Sequence, residues 1–277
     1  MRPFARRLDG KIISPQDGVV PIMKEIERGK LQIVGTGFYV TRYGLFITAQ
    51  HVLNELVINE PKKLGVGYIL HIASDKEVHL RRILGASLLQ PADLALCQAE
   101  NFVGKYPDNP LLNLRPHLTT EVPYIGSPLI TYAYPANKIL DFTQNEKAPE
   151  VCSDYFEGKF LEHAQSGPFM PYPHFRTSIK IKGGASGGPV FSGGRVIGVN
   201  CRGWDFGKSD KGENLSSIVP IVEILQIALP RLQLPEISWE YNQIPDIRRG
   251  DQLTFRDLIK FRHVHFSPPI TGSDHIA

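Results

Sequence analysis

Cysteine is scarce in this 277-residue chain: Cys97, Cys152 and Cys201 make up the full set, an odd number with no CxxC pair. That excludes the disulfide framework of small secreted domains and points to a reducing, cytoplasmic setting. Charge of one sign is lacking too. Lys and Arg number 31 against 28 Asp and Glu, a net of +3, whereas nucleic-acid binders carry a clustered basic face, so no nucleic-acid partner is expected. The pairs Arg6-Arg7, Arg81-Arg82 and Arg248-Arg249 read as solvated surface charge. Long apolar runs are missing as well. The first eighteen residues are charged and hold no stretch of the about 7–15 apolar residues that an export leader needs. The most apolar stretch, Ile218 to Leu229, is broken by Pro220, Glu223 and Gln226 and falls well short of the roughly 20 residues of a membrane span. Neither a leader nor a membrane span is expected. Metal-ligand patterns are also absent: His263-Val264-His265 has no partner at a recognised spacing and reads as alternation along a strand, so no metal and no cofactor is expected.

What is present is ordinary globular composition, 42% hydrophobic and 21% charged, punctuated by 25 Gly and 22 Pro. Residues 32–52 read as a hairpin turning at Thr41-Arg42-Tyr43-Gly44. Further β-type runs lie at 68–72, 78–84, 94–97, 129–134, 177–181, 189–191, 196–200 and 218–220. Many short strands without a fixed repeat argue for barrels or a sandwich. Helical periodicity comes late, at 220–229 between two prolines, and at 253–261 after Asp251 as an N-cap. The Pro-rich stretch 107–123 is the expected crossing between two β halves. Residues 140–176 give no clear signal, and His163 and His174 within them receive no role.

The chemistry concentrates in Lys182-Gly183-Gly184-Ala185-Ser186-Gly187-Gly188-Pro189-Val190. A nucleophilic serine needs a sharply turned backbone, which glycine allows. It also needs N–H donors for the developing oxyanion, each worth about 2.7–4 kcal/mol. The Gly184 and Ser186 amides are the candidates. A plain polar turn between strands is the simpler alternative for such a string. A serine hydroxyl requires a base, and His51 follows a β run directly in Thr48-Ala49-Gln50-His51-Val52. Alone, it would read as an ordinary half-buried histidine. The third member must be a carboxylate that accepts the imidazole N–H, and Asp93 leads into the apolar run Leu94-Ala95-Leu96. Without a histidine nearby, Asp93 would read as a turn cap.

Gly-Ala-Ser-Gly-Gly-Pro at 184–189, Thr-Ala-Gln-His-Val at 48–52 and Ala-Asp-Leu-Ala-Leu at 92–96 resemble the trypsin-like, chymotrypsin-fold serine peptidase superfamily, in that family's order His, Asp, Ser. Gly35-Thr36-Gly37-Phe38, Gly44-Leu45-Phe46-Ile47-Thr48 and Gly198-Val199-Asn200 are most similar to its bacterial HtrA-like branches. The resemblance implies an all-β fold of two six-stranded antiparallel barrels with a C-terminal helix and extension, the triad His51, Asp93 and Ser186 lying in the cleft between them. It divides the chain into an N-terminal extension (1–30), a first barrel (31–115), a second barrel with its terminal helix (116–229) and a C-terminal extension (230–277).

The pattern departs from the digestive and clotting branches in two places. Those relatives carry aspartate before the serine, to pair with a newly released N-terminus, whereas this chain has Ala185. Activity must then be intrinsic or controlled by binding and loop ordering, and Ile33-Val34-Gly35 reads as a strand. Six positions before the serine, at the base of the family's S1 pocket, stands Lys180, which argues against cleavage after Arg or Lys. An inward-pointing Lys180 implies a preference for acidic residues, an outward one a plain strand lysine. Asn200, Cys201, Arg202 and Gly203 align with the pocket wall and the edge that pairs with extended substrate. The expected partner is a protein or peptide substrate; residues 1–30 or 230–277 either dock on a regulatory protein or cover the cleft, and packing of the aromatic tail on the barrels is the simpler expectation. The competing reading is a latent or inactive trypsin-fold scaffold. A lipase-like elbow, Gly-x-Ser-x-Gly, is matched at 184–188, but a β run follows it and the acid and histidine lie upstream.

Overall fold

Runs of β-branched and aromatic residues cut by glycine and proline make each strand short and each turn tight, and they close into two antiparallel six-stranded barrels. The computed structural model describes residues 5–6, 12–13, 18–41, 44–59, 62–64, 67–72, 78–90, 92–100, 116–134, 139–142, 151, 153–167, 170–204, 215–229, 253–260 and 264–267. The first barrel consists of β1 (Val19–Glu27), β2 (Lys30–Tyr39), β3 (Leu45–Ala49), β4 (Gly67–Ile72), β5 (Val78–Leu89) and β6 (Leu94–Ala99). They circle in the order β1-β2-β3-β6-β5-β4, with β4 returning to β1. The second consists of β7 (Pro128–Ala133), β8 (Asp154–Ala164), β9 (His174–Thr177), β10 (Pro189–Ser192), β11 (Arg195–Trp204) and β12 (Leu215–Pro220). Its order, β7-β8-β9-β12-β11-β10 and back to β7, repeats the first barrel's connectivity without a visible sequence repeat.

Side-chain alternation along the second barrel's strands feeds two cores. Leu129, Ala133, Val190 and Ile197 point into a core of that barrel with Phe160 and Phe175. Their out-of-phase neighbours Tyr132, Phe191 and Val196 join a larger core shared with Ile22, Phe38, Phe46 and Leu96 of the first barrel. Each fully buried side chain of this size stabilises the fold by about 1.5–3 kcal/mol. The barrels are thus welded face to face, and their seam has a fixed geometry on which a site can be built.

Several elements differ from the sequence reading. β1 lies inside residues 1–30, read as an extension. Its first five residues are all buried, so the period-two signal was masked by a continuous apolar run. β8 arises in the stretch that gave no signal because only Phe156 and Phe160 of its eleven residues are buried. β9 ends at Thr177, leaving 178–181 irregular where a strand was expected. Arg81 is 3% exposed rather than solvated; its Nε donates to the Glu100 carbonyl at 2.7 Å and its Nη1 to the Tyr39 hydroxyl at 2.9 Å. Residues 7, 248 and 249 of the other arginine pairs lie outside the described residues, as do Cys152, His263 and residues 107–115 of the Pro-rich crossing.

The terminal helix is shorter than its periodicity promised. Residues Ile221–Gln226 form a 3-10 helix anchored by buried Ile221, Ile224 and Leu225, and Ile227 is already extended. What stops it is the tail: Leu229 donates to the Leu253 carbonyl at 2.8 Å and Phe255 to the Ile227 carbonyl at 2.9 Å. A second helix, Phe255–Lys260, follows. It is capped by Thr254, whose N–H and hydroxyl both donate to Asp257 Oδ2 at 2.8 Å; Asp251, the expected cap, lies outside the described residues. Phe255, Leu258 and Val264 are buried in the shared core, so the described part of the tail packs on the barrels.

Candidate active site

β3 is buried along its whole length and carries the chain to the seam, where the one-turn helix Gln50–Asn54 presents His51. β6 pairs with β3 so that Leu94 stands opposite Ala49, which sets Asp93 beside the first turn of that helix. Three hydrogen bonds tie the two segments. Gln50 N–H donates to the Asp93 carbonyl at 3.0 Å. His51 N–H donates to Asp93 Oδ1 at 2.9 Å, and His51 Nδ1 lies 2.8 Å from Asp93 Oδ2. A carboxylate only accepts, so Nδ1 carries the proton and Nε2 presents its lone pair. Asp93 reaches this position from a left-handed backbone, φ 51°, the one such non-glycine conformation among the described residues. Left-handed conformation costs roughly 1–2 kcal/mol for most residues and least for Asp and Asn.

The serine loop comes from the other barrel. Ala185 N–H donates to the Lys182 carbonyl at 3.1 Å, closing a turn with Gly184 at φ 84°. Ala185 is fully buried in the second barrel's core, where an aspartate would have to be ion-paired. Gly187 N–H donates to the Asn200 carbonyl at 2.7 Å and Asn200 N–H to the Gly188 carbonyl at 2.9 Å, fastening the loop to β11. Gly187 also has to be glycine. Its φ is 85°, and a Cβ there would stand 2.1 Å from the Thr36 carbonyl oxygen and 2.2 Å from Thr48 Oγ1. Among the described residues the amides of Gly184 and Ser186 donate to no protein acceptor, while those of Ala185, Gly187 and Gly188 all do. The Ser186 hydroxyl is directed to the Cys201 carbonyl at 3.5 Å.

His51, Asp93 and Ser186 share one cleft of ≈ 580 Å³, with Lys180, Cys201, Arg202 and Gly203 also on its walls. Lys180 is exposed. Asn200, expected in the wall, is fully buried behind it instead, and its Nδ2 donates to Thr131 Oγ1 at 2.6 Å. Asn200 braces the strand under the cleft, because the side-chain alternation of β11 turns it inward. Lys182 and Gly183 line the cleft too, and the remaining wall is apolar: Met170, Pro171, Tyr172, Ile179, Ile181 and Leu215. Met170, Tyr172 and Leu215 were not legible as site residues, since nothing in the sequence links them to the motifs. Burial, helped by nearby Cys201 and Asp93, pushes the Tyr172 phenol well above its ordinary value. The Cys201 thiol is likewise pushed far up by burial and donates to the Asp93 carbonyl at 3.8 Å, so it stays a neutral thiol. Among the described residues no group of three or more His, Cys, Asp or Glu is arranged to hold a metal.

A family model described as a trypsin-like peptidase domain matches residues 35–199, a span that contains His51, Asp93 and Ser186. No curated protein matches the sequence. Among solved structures, that of Deg5 is 19% identical, covers 75% of this chain and 85% of its own, and superposes with a TM-score of 0.53. The MamO protease domain from Magnetospirillum magneticum, in its apo form, is 16% identical, covers 76% of this chain and 97% of its own, and also gives 0.53. At these identities the likeness is one of fold. Among the described residues no helix is long and apolar enough to cross a membrane.

Proposed function

The chain belongs to the trypsin-like peptidase family, and from that premise we propose that it is a serine endopeptidase acting through Ser186, His51 and Asp93. Ser186 Oγ attacks the scissile carbonyl carbon as His51 Nε2 takes its proton. Asp93 holds the tautomer and stabilises the imidazolium that forms. The unpaired amides of Gly184 and Ser186 receive the oxyanion. His51 then gives its proton to the leaving amine, and water, activated by the same histidine, releases the acyl group from Ser186. The carrying observation is the Asp93–His51 pair, built from the first barrel, opening onto the same cleft as the serine loop of the second.

Substrates are proteins or peptides. Arg202 and Gly203 at the cleft edge suit main-chain pairing with an extended segment. The wall, apolar but for the lysines Lys180 and Lys182, is poorly suited to an Arg or Lys side chain and suits an apolar or acidic one. Two buried free thiols, Cys97 and Cys201, support a reducing, cytoplasmic setting.

A second reading is favoured by one observation. The Ser186 hydroxyl faces a carbonyl, which accepts a hydrogen bond but cannot remove a proton. A resting state of that kind fits a latent peptidase switched on by substrate or a regulatory protein, or a scaffold that binds without cutting. Turnover of an unfolded protein such as casein by wild type, Ser186→Ala and His51→Ala separates these readings. Cleavage by wild type alone supports the peptidase; cleavage surviving in both variants contradicts the assignment; none in any of them leaves latency or the scaffold, and rescue of wild type by a candidate activator then separates those two.

A further inference from the structure

Ala185 leaves open what orders the nucleophile loop, because the ion pair that an aspartate would make at that position is missing. The loop's contacts with the first barrel supply an answer. Thr36, fully buried on β2, is bonded through all its polar groups. Its N–H donates to the Ser186 carbonyl at 2.8 Å. Its hydroxyl donates to the Gly184 carbonyl at 2.8 Å and accepts from the Tyr134 N–H at 3.0 Å. Its own carbonyl accepts from Thr48 Oγ1 at 2.8 Å, and these two oxygens together bar a Cβ at Gly187. Thr48 lies on β3, the strand that delivers His51.

Resting on the peptidase reading above, we propose that Thr36 is a positioning residue: it clamps the serine loop onto the first barrel and so fixes the two amides of the oxyanion site. The Thr36 hydroxyl sets the plane of the Gly184–Ala185 peptide, and its N–H sets that of Ser186–Gly187. The peptides bearing the Gly184 and Ser186 amides are the direct neighbours of these two. Through Thr48 the same residue couples the loop to the strand of the base, so nucleophile and base keep their register across the seam. No part of this clamp titrates or needs a released N-terminus, which makes the loop's order intrinsic to the fold.

The test compares Thr36→Val, which keeps the shape and deletes the hydroxyl, with Thr36→Ser, which keeps the hydroxyl. Thr36→Ala replaces the valine variant if that one does not fold. Two readouts are taken on each folded protein: amide hydrogen exchange over residues 183–188 and the rate of Ser186 labelling by a fluorophosphonate. Loss of the hydroxyl should speed exchange in that segment about tenfold or more and slow labelling about 10–100-fold, the range expected when reacting groups are misplaced by an ångström or less. Thr36→Ser should stay within about threefold of wild type in both, as a retained hydrogen bond requires. Unchanged exchange and labelling in the hydroxyl-less variant, or equal damage from Thr36→Ser, would overturn the clamp. A wild type that does not label would count against the peptidase reading alone, since the exchange comparison still judges Thr36.

Discussion

Asp93 grips His51 with both carboxylate oxygens, Oδ1 on the backbone N–H at 2.9 Å and Oδ2 on the ring Nδ1 at 2.8 Å. The first contact fixes where the residue sits, the second which way its ring is turned and which nitrogen is protonated. An amide at position 93 can satisfy one of these but not both in the same way, because its nitrogen donates. Asparagine tolerates the left-handed backbone, and the Gln50-to-Asp93 main-chain bond survives. Asp93→Asn should therefore fold normally while labelling of Ser186 falls by about 10⁴, the cost of the wrong histidine tautomer. Circular dichroism and labelling kinetics on one preparation check both halves; normal labelling would break the link between Asp93 and the ring.

Gly187→Ala attacks the seam from the other side. A methyl group there meets the Thr36 carbonyl oxygen and Thr48 Oγ1 at near-bonding distances and in a strained backbone region. Strain and overpacking together should cost about 2–5 kcal/mol. Urea denaturation should show the loss, and Gly193→Ala, a left-handed glycine with no atom of the described residues in the way of a Cβ, should cost no more than about 1–2 kcal/mol.

Acid should weaken the first barrel through His71. The ring is 2% exposed, its Nδ1 has no hydrogen-bond partner among the described residues, and burial, with the charges of Arg81 and His79 adding to it, lowers its pKa from 6.5 to about 3. The folded state keeps the imidazole neutral while the unfolded chain protonates it, so stability is lost as pH falls below about 6.5 and the loss continues down to about 3. Between pH 7 and pH 5 this amounts to about 2 kcal/mol. His71→Phe should flatten that part of the urea-stability profile; an unchanged acid slope would show that His71 does not titrate on unfolding.

Lys180 is exposed within the cleft, so Lys180→Glu should change stability by no more than about 0.5 kcal/mol. The expected effect is on specificity. Profiling with a peptide library should show any acceptance of acidic side chains lost and basic ones newly accepted. An identical profile would place Lys180 outside substrate contact.

The candidate site's proposed triad is more legible in the sequence than the walls around it. Ser186, His51 and Asp93 sit in local strings whose glycines and flanking apolar residues are dictated by the immediate backbone, so they are legible at short range. Arg81 reads as surface charge because its hydrogen-bond partners, the Tyr39 hydroxyl and the Glu100 carbonyl, lie far away in sequence. Asn200 reads from the sequence as a wall residue, but strand alternation turns its side chain to the brace behind the wall. Met170 and Tyr172 enter the cleft from a connection with no periodicity at all, and β8 hid because a half-exposed strand with two buried aromatics has little apolar pattern to show. Twelve strands in two equivalent circuits follow from long-range pairing, which no local window contains.

The most direct test of the whole account is mass-spectrometric mapping of fluorophosphonate adducts on the purified protein, with and without a candidate activating peptide. The account predicts a single adduct on Ser186, absent in His51→Ala although Ser186 is retained there. A folded wild type that forms no adduct under either condition, or an adduct on Ser186 that persists at full rate in His51→Ala, would contradict it.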